Sequence, residues 1–222
     1  CGDNDMTPYN LVNMAKLMGY DIIALTDHNS CLNCPAAIKA GQEAGITVVP
    51  GMELCTSEEI HTVCLFPTLE KALEFSDYVK STMPQIKNDE SIFGNQYIMD
   101  HLDGILGSEE ILLTTASGIS IDDVVSEVKK YDGAVFPAHL DRASYSVLSV
   151  LGFMYPEMNF TCAEFTHKAY IPQYEEKHPL LKGMKHLRNS DAHYLENMVE
   201  ASCEIDIPEC TAQAVVDYIL NR

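Results

Sequence analysis

The feature that most restricts how this chain can fold is a helix-then-strand unit that occurs twice in its first 54 residues. Thr7 followed by Pro8 has the form of a helix N-cap and first helical position, and LVNMAKLMG carries apolar residues at helical spacing as far as Gly19. DIIALT then reads as a buried strand. The pattern repeats at once, because PAAIKAGQEAG begins on Pro35 and ends on Gly45, and the apolar run ITVVPGMEL follows. Such alternation is the rhythm of a parallel βα fold. Only four or five polar residues separate Leu54 from the next apolar run, residues 60–66. That is hairpin length rather than crossover length, so this strand is expected to run antiparallel to its predecessor.

Thr68 caps a helix expected to reach about Lys80. Residues 81–118 then lose the alternation: STMPQIKNDESIFGN reads as loop, while QYIMDHLDGILG and EEILLTTA suit a strand pair or short helices. This stretch is the expected insert. Regularity returns with a helix in SIDDVVSEVKKYDG, the strand AVFPAH, a helical stretch over 142–151, the strand TCAEFT and a helix over 172–182. The strands KHLRNS and ASCEIDI and a helix over 211–220 complete the chain. The polar opening CGDND suggests a start just downstream of a first strand, and counting that strand, about eight strands alternate with helices. The expectation is one domain over residues 1–222, a closed or distorted barrel with a small insert.

Against 14 Lys and Arg stand 33 Asp and Glu, a formal net charge of -19. A chain so acidic is expected not to grip long nucleic acid. No apolar run approaches the roughly 18–20 residues of a membrane helix, which predicts a soluble, cytoplasmic protein. With 46% hydrophobic residues the chain can bury a core without disulfide staples, so its eight cysteines are read as reduced. Cys55, Cys64, Cys162 and Cys203 sit in apolar runs and should pack as small hydrophobes. Cys31 and Cys34 form a CLNC pair that would suit a redox dithiol or half of a zinc site, although no second pair stands at zinc-ribbon spacing.

The polar residues fall on this map in a pattern. DIIALT ends in Asp27-His28, VVPGM in Glu53, AVFPA in His139, and HLRNS in Asp191-Ala-His193. Each lies at the carboxyl end of an apolar strand, and in a parallel βα barrel those ends share the face that carries ligand sites. His61 stands at the start of its run, but an antiparallel strand places its start on that same face. Imidazoles and carboxylates gathered on one rim suit zinc, manganese or iron.

In order and spacing, TDHN (26–29), GME (51–53), the histidine of EIHTVCLF, PAHLDR (137–142) and SDAH (190–193) resemble the polymerase and histidinol phosphatase (PHP) family of metal-dependent phosphoesterases. The resemblance spans nearly the whole chain. It implies a distorted (β/α)₇ barrel and two or three divalent metal ions of the Zn, Mn or Fe kind. It also implies hydrolysis of a small phosphorylated substrate by a metal-activated hydroxide. Residue by residue it makes His28, His61, His139, Asp191 and His193 metal ligands and Glu53 a bridging carboxylate. Asp3, in DNDMTP, stands where the family's early acidic ligand would. The family's initial H-x-H pair is expected upstream of Cys1. Arg142 is a candidate phosphate clamp, against an ordinary surface pair with Asp141 or Glu157. Asn29 and Lys168 are candidate substrate contacts, and His167 a candidate proton donor to the leaving group. The competing expectations are a noncatalytic metal-binding or interaction domain of the same family and an amidohydrolase-type enzyme cleaving C–N bonds.

Overall fold

A computed structural model describes residues 2–201 and 203–222. In chain order its elements are α1 (Pro8–Leu17), β1 (Ile22–Leu25), α2 (Cys34–Ala44), β2 (Thr47–Cys55), β3 (His61–Leu65), α3 (Leu69–Thr82), α4 (Glu90–Phe93), β4 (Tyr97–Met99) and β5 (Ile105–Ser108). They continue as α5 (Val124–Lys129), β6 (Ala134–Pro137), α6 (Val147–Val150), β7 (Cys162–Phe165), α7 (Ile171–Lys177), β8 (Lys185–Arg188) and α8 (Ala212–Ile219). The helix signals act as read. Thr7 and Thr68 accept hydrogen bonds from Asn10 N–H and Lys71 N–H, and Gly45 closes α2 in the left-handed conformation.

β1 and β2 pair in parallel from Ile22↔Thr47 to Leu25↔Pro50. β2 and β3 pair antiparallel, with Cys55 opposite His61, and β3 and β6 pair antiparallel in turn. Strands β1, β2 and β6 therefore point one way and β3 the other. The carboxyl ends of three strands and the amino end of the fourth meet on one rim. Gly51 makes this close approach possible: a Cβ there would lie 2.6 Å from Leu65 Cδ2 and 2.7 Å from the Cys64 carbonyl. Beneath the rim β2 is buried over nearly its whole length, and Met52, Leu54, Cys64, Phe66, Phe75 and Phe165 form the main core. On the opposite face α8 contributes Val215, Val216 and Ile219 to a second cluster with Val49, Leu65 and Phe136.

The architecture is mixed α/β, and two expectations are corrected, the strand ASCEIDI and the helical stretch over 142–151. Among the described residues the ladders fall into three sets: β1-β2-β3-β6 form one sheet, β7-β8 a parallel pair, and β4-β5 a hairpin. β7 lies beside β6, and just past β6 the Leu140 N–H donates to the Glu164 carbonyl at 2.8 Å. ASCEIDI is not a strand at any described position. Ile205 and Ile207 pack on the second cluster as side chains without a ladder, while Ser202 lies outside the described residues. The helical stretch over 142–151 shrinks to α6, capped by Ser146. The irregular stretch 81–118 does depart from the alternation, with α4 in the expected loop. Its antiparallel strands, β4 and β5, flank a tight turn in which the Asp100 carboxylate accepts from Leu102 and Gly104 N–H.

Candidate metal centre

The site is built outward from Glu53. The β1-β2 ladder continues past β1, with Glu53 N–H donating to Asp27 O at 3.1 Å and Asn29 N–H to Glu53 O at 3.0 Å. This sets His28 beside Glu53. The Glu53 carboxylate lies 3.2 Å from His28 Nδ1 through one oxygen, and 3.3 Å from His61 Nδ1 and 3.4 Å from His139 Nε2 through the other. Potential ligand atoms of His28, Glu53 and His61 all lie within 4.8 Å of one another. His139 joins them, its Nε2 3.4 Å from His61 Nδ1. Asp191 and His193 complete the lining of a cleft of about 300 Å³, together with Cys55, Thr114, Arg142, Ser144 and Tyr145.

Three of these residues adopt backbone conformations that L-residues rarely take: φ is 30° at His139, 46° at Asp191 and 56° at Tyr145. Such conformations persist where surrounding structure holds them, and they cluster at functional sites. Burial alone would raise the Glu53 carboxyl, but hydrogen bonds with His139 and His61 and the charge on His28 outweigh it and hold it well below the usual range. Burial also holds His28 down to about 4, against the attraction of Glu53. It raises Asp191, with Glu53 adding to the effect. His139 Nδ1 is buried with no hydrogen-bond partner. Three imidazoles packed round one carboxylate, one ring nitrogen unsatisfied, form a donor set that suits a divalent cation of borderline softness.

The structure brings together His28, Glu53, His61, His139, Asp191 and His193. Arg142 reaches the cleft too, and its partner is Asp191 rather than Asp141 or Glu157. Asn29 is only 1% exposed and its side chain is fully engaged inward. The amide donates to Leu113 O and Thr115 O, and its oxygen accepts from Cys55 N–H, so it ties the insert to the rim rather than facing the cleft. Asp3 is exposed and accepts from Asp5 and Met6 N–H. His167 and Lys168 are exposed on the turn after β7. None of these three lines the cleft. The Cys31 and Cys34 thiols are buried and both donate to the Gly51 carbonyl, a packing role, and the seven described cysteines are free.

Sequence reasoning missed two neighbours. Tyr145 stacks on His61 with ring centroids 4.5 Å apart, and its carbonyl accepts from His61 N–H. No sequence signal marks it. Glu164 is buried at the end of β7 and touches His139, and the strand-end rule applied to TCAEFT would have found it.

The PHP domain profile matches residues 1–205. An uncharacterized protein of Methanocaldococcus jannaschii is 31% identical over 84 residues, which are 37% of this chain and 49% of that one. The chain thus spans about half the length of the curated relative it matches. Among solved structures, a putative metal-dependent phosphoesterase from Bifidobacterium adolescentis superposes with a TM-score of 0.60 at 16% identity, covering 99% of this chain and 91% of that one. The lesion-specific endonuclease PfuEndoQ from Pyrococcus furiosus gives 0.62 at 15% identity, over 100% of this chain and 52% of that one. An endonuclease Q complex with a 27-mer duplex bearing an abasic lesion at the active site gives 0.58 at 15% identity, over 100% and 53%.

These neighbours correct the expected partners, a small phosphorylated molecule and no long nucleic acid. A similar fold holds duplex DNA at its active site. The net charge of -19 is a sum over the whole surface. Charges beyond the Debye length of about 8 Å are largely screened from a phosphate in the cleft, so the local groups decide.

Proposed function

The chain belongs to the PHP domain family, and on that premise we propose that it hydrolyses phosphoester bonds at a cluster of two or three divalent metal ions held by His28, Glu53, His61, His139, Asp191 and His193. The observation that carries this reading is the convergence of three imidazoles on the buried Glu53 carboxylate beside the unsatisfied His139 Nδ1. Zinc, manganese or iron would each suit these donors. When bound, such cations supply Lewis acidity toward phosphoryl oxygens and acidify water.

The chain's own residues have distinct tasks. Glu53 gathers the cluster by presenting one oxygen to His28 and the other to His61 and His139. Arg142, held by Asp191 and partly exposed in the cleft, is the cation placed to take a phosphoryl oxygen. His167 and Lys168, further out on the turn after β7, would meet the leaving-group side of a substrate. The rim as a whole follows the plan of a distorted (β/α)₇ barrel carried by a single domain over residues 1–222.

The substrate class we favour is a nucleic-acid phosphodiester, and the support is the fold shared with endonuclease Q. The test is metal analysis of the purified protein followed by cleavage assays on abasic duplex, intact duplex and single-stranded oligonucleotides, with phosphomonoesters alongside. Chelator-sensitive cleavage of a nucleic acid is expected. Protein that takes up no divalent metal and cleaves no phosphoester would overturn the reading.

A further inference from the structure

Glu164 lies on β7 with its side chain on the face opposite to Ala163 and Phe165, which pack in the main core. It is only 3% exposed. One carboxylate oxygen accepts from His139 N–H at 3.1 Å and the other from Asn189 Nδ2 at 2.7 Å. Its carbonyl accepts from Leu140 N–H at 2.8 Å. β7 pairs with β8 through Glu164↔Leu187, so Asn189 stands just past β8, two residues before Asp191. The carboxylate therefore spans two loops that come from different strands. Each carries one of the strained backbones, His139 at φ 30° and Asp191 at φ 46°.

A buried carboxylate beside the acidic Glu53 and Asp191 is an expensive way to fasten a fold, because desolvation and like charge both work against it. An apolar or amide side chain of similar volume would fill the space more cheaply. What the carboxylate alone provides is two acceptors in one plane, aimed at two donors on separate loops. We propose that Glu164 is a positioning residue that clamps the loops after β6 and β8, and so holds His139 on one side and Asp191 with His193 on the other at metal-binding distance. The inference rests on the metal-centre reading above and goes beyond it, since Glu164 itself lies outside the cleft lining. A partner that orients metal ligands is worth roughly 10–100-fold in metal affinity when removed.

The test measures zinc affinity by competition with a chromophoric chelator, and the melting temperature of the metal-free protein, for the wild type and three variants. Glu164→Gln keeps the volume but leaves one of the two donors facing an amide N–H. The swap Glu164→Gln with Asn189→Asp restores the pattern, since the new amide donates to the new carboxylate and still accepts from His139 N–H. Asn189→Ala cuts one arm of the clamp and stands in if Glu164→Gln does not fold. Glu164→Gln should weaken zinc binding by roughly 10–100-fold, Asn189→Ala by less, and the swap should recover most of the loss. Folded single variants with wild-type affinity, or a folded swap that stays weak, would overturn the role of Glu164 while leaving the metal centre intact. Wild-type protein that binds no zinc, manganese or iron would instead overturn the metal centre, and this inference with it.

Discussion

The carboxyl group of Glu164 links the stability of the metal-free protein to pH in a way that one substitution isolates. Burial pushes it from 4.5 up to about 7, with Glu53 and Asp191 adding to the rise and the Asn189 hydrogen bond and His139 opposing it. Between those pH values the folded chain holds a proton that the unfolded chain has released. Its contribution is therefore fully present below pH 4.5 and is lost as pH rises through about 7. At about 1.36 kcal/mol per pH unit the gap between 4.5 and 7 amounts to about 3 kcal/mol. His28 works in the opposite sense. Its pKa is lowered from 6.5 to about 4, so the stability of its neutral form is present above pH 6.5 and is lost as pH falls through about 4. In the wild type the two slopes oppose each other. Glu164→Gln removes one of them, and subtracting the wild-type curve cancels the other. Urea melts in excess chelator between pH 4.5 and 8 should show Glu164→Gln weaker at the acid end by about 1 kcal/mol, the worth of a hydrogen bond. Above pH 7 it should be the more stable protein, by about 2 kcal/mol, once the cost of a buried charge is removed. A difference between the two proteins that does not vary with pH would refute this account of the buried carboxyl.

Two further outcomes follow from the same geometry. Glu53→Gln removes the anion shared by His28, His61 and His139, so bound metal measured by elemental analysis should fall and the cleavage rate should drop by about 10²–10³-fold. Asn29→Gly tolerates the φ of 50° but strands Cys55 N–H and the carbonyls of Leu113 and Thr115. Chemical denaturation should register a loss of about 1–3 kcal/mol, and limited proteolysis should cut first within residues 81–118.

Much of the rim was legible because it follows from strand polarity. An apolar run that ends in His or Glu puts that side chain at a strand's carboxyl end, and the short link after Leu54 reverses β3 so that His61 enters from its beginning. What escaped was whatever depends on tertiary partners. Arg142 pairs with Asp191 across nearly fifty residues of chain, and Asn29 spends its amide on the insert. No local pattern records either choice. Glu164 obeys the strand-end rule as well as Glu53 does, yet the candidates drawn from that run are His167 and Lys168, just past its end. ASCEIDI alternates like a strand, but alternation states only that one face is covered, and here Ile205 and Ile207 are partly buried without a ladder. The charge argument failed for a different reason, since a total over the surface says little about the potential inside one cleft.

The hairpin of β2 and β3 acts as a ruler. Its turn is held at both ends by one residue, since Thr56 N–H donates to Ile60 O at 2.9 Å and the Thr56 hydroxyl accepts from Ile60 N–H at 3.2 Å. The spacing from Glu53 to His61 is thereby set within nine consecutive residues of one hairpin. Because side chains alternate faces along a strand, one residue gained or lost in residues 56–60 would turn His61 away from Glu53 and bring a neighbour into its place. Length is thus quantised at this turn, whereas the stretch 81–118 meets the rim through the Asn29 amide and through Ser117, whose N–H donates to the Cys55 carbonyl, and is not bound to a strand's two-residue period.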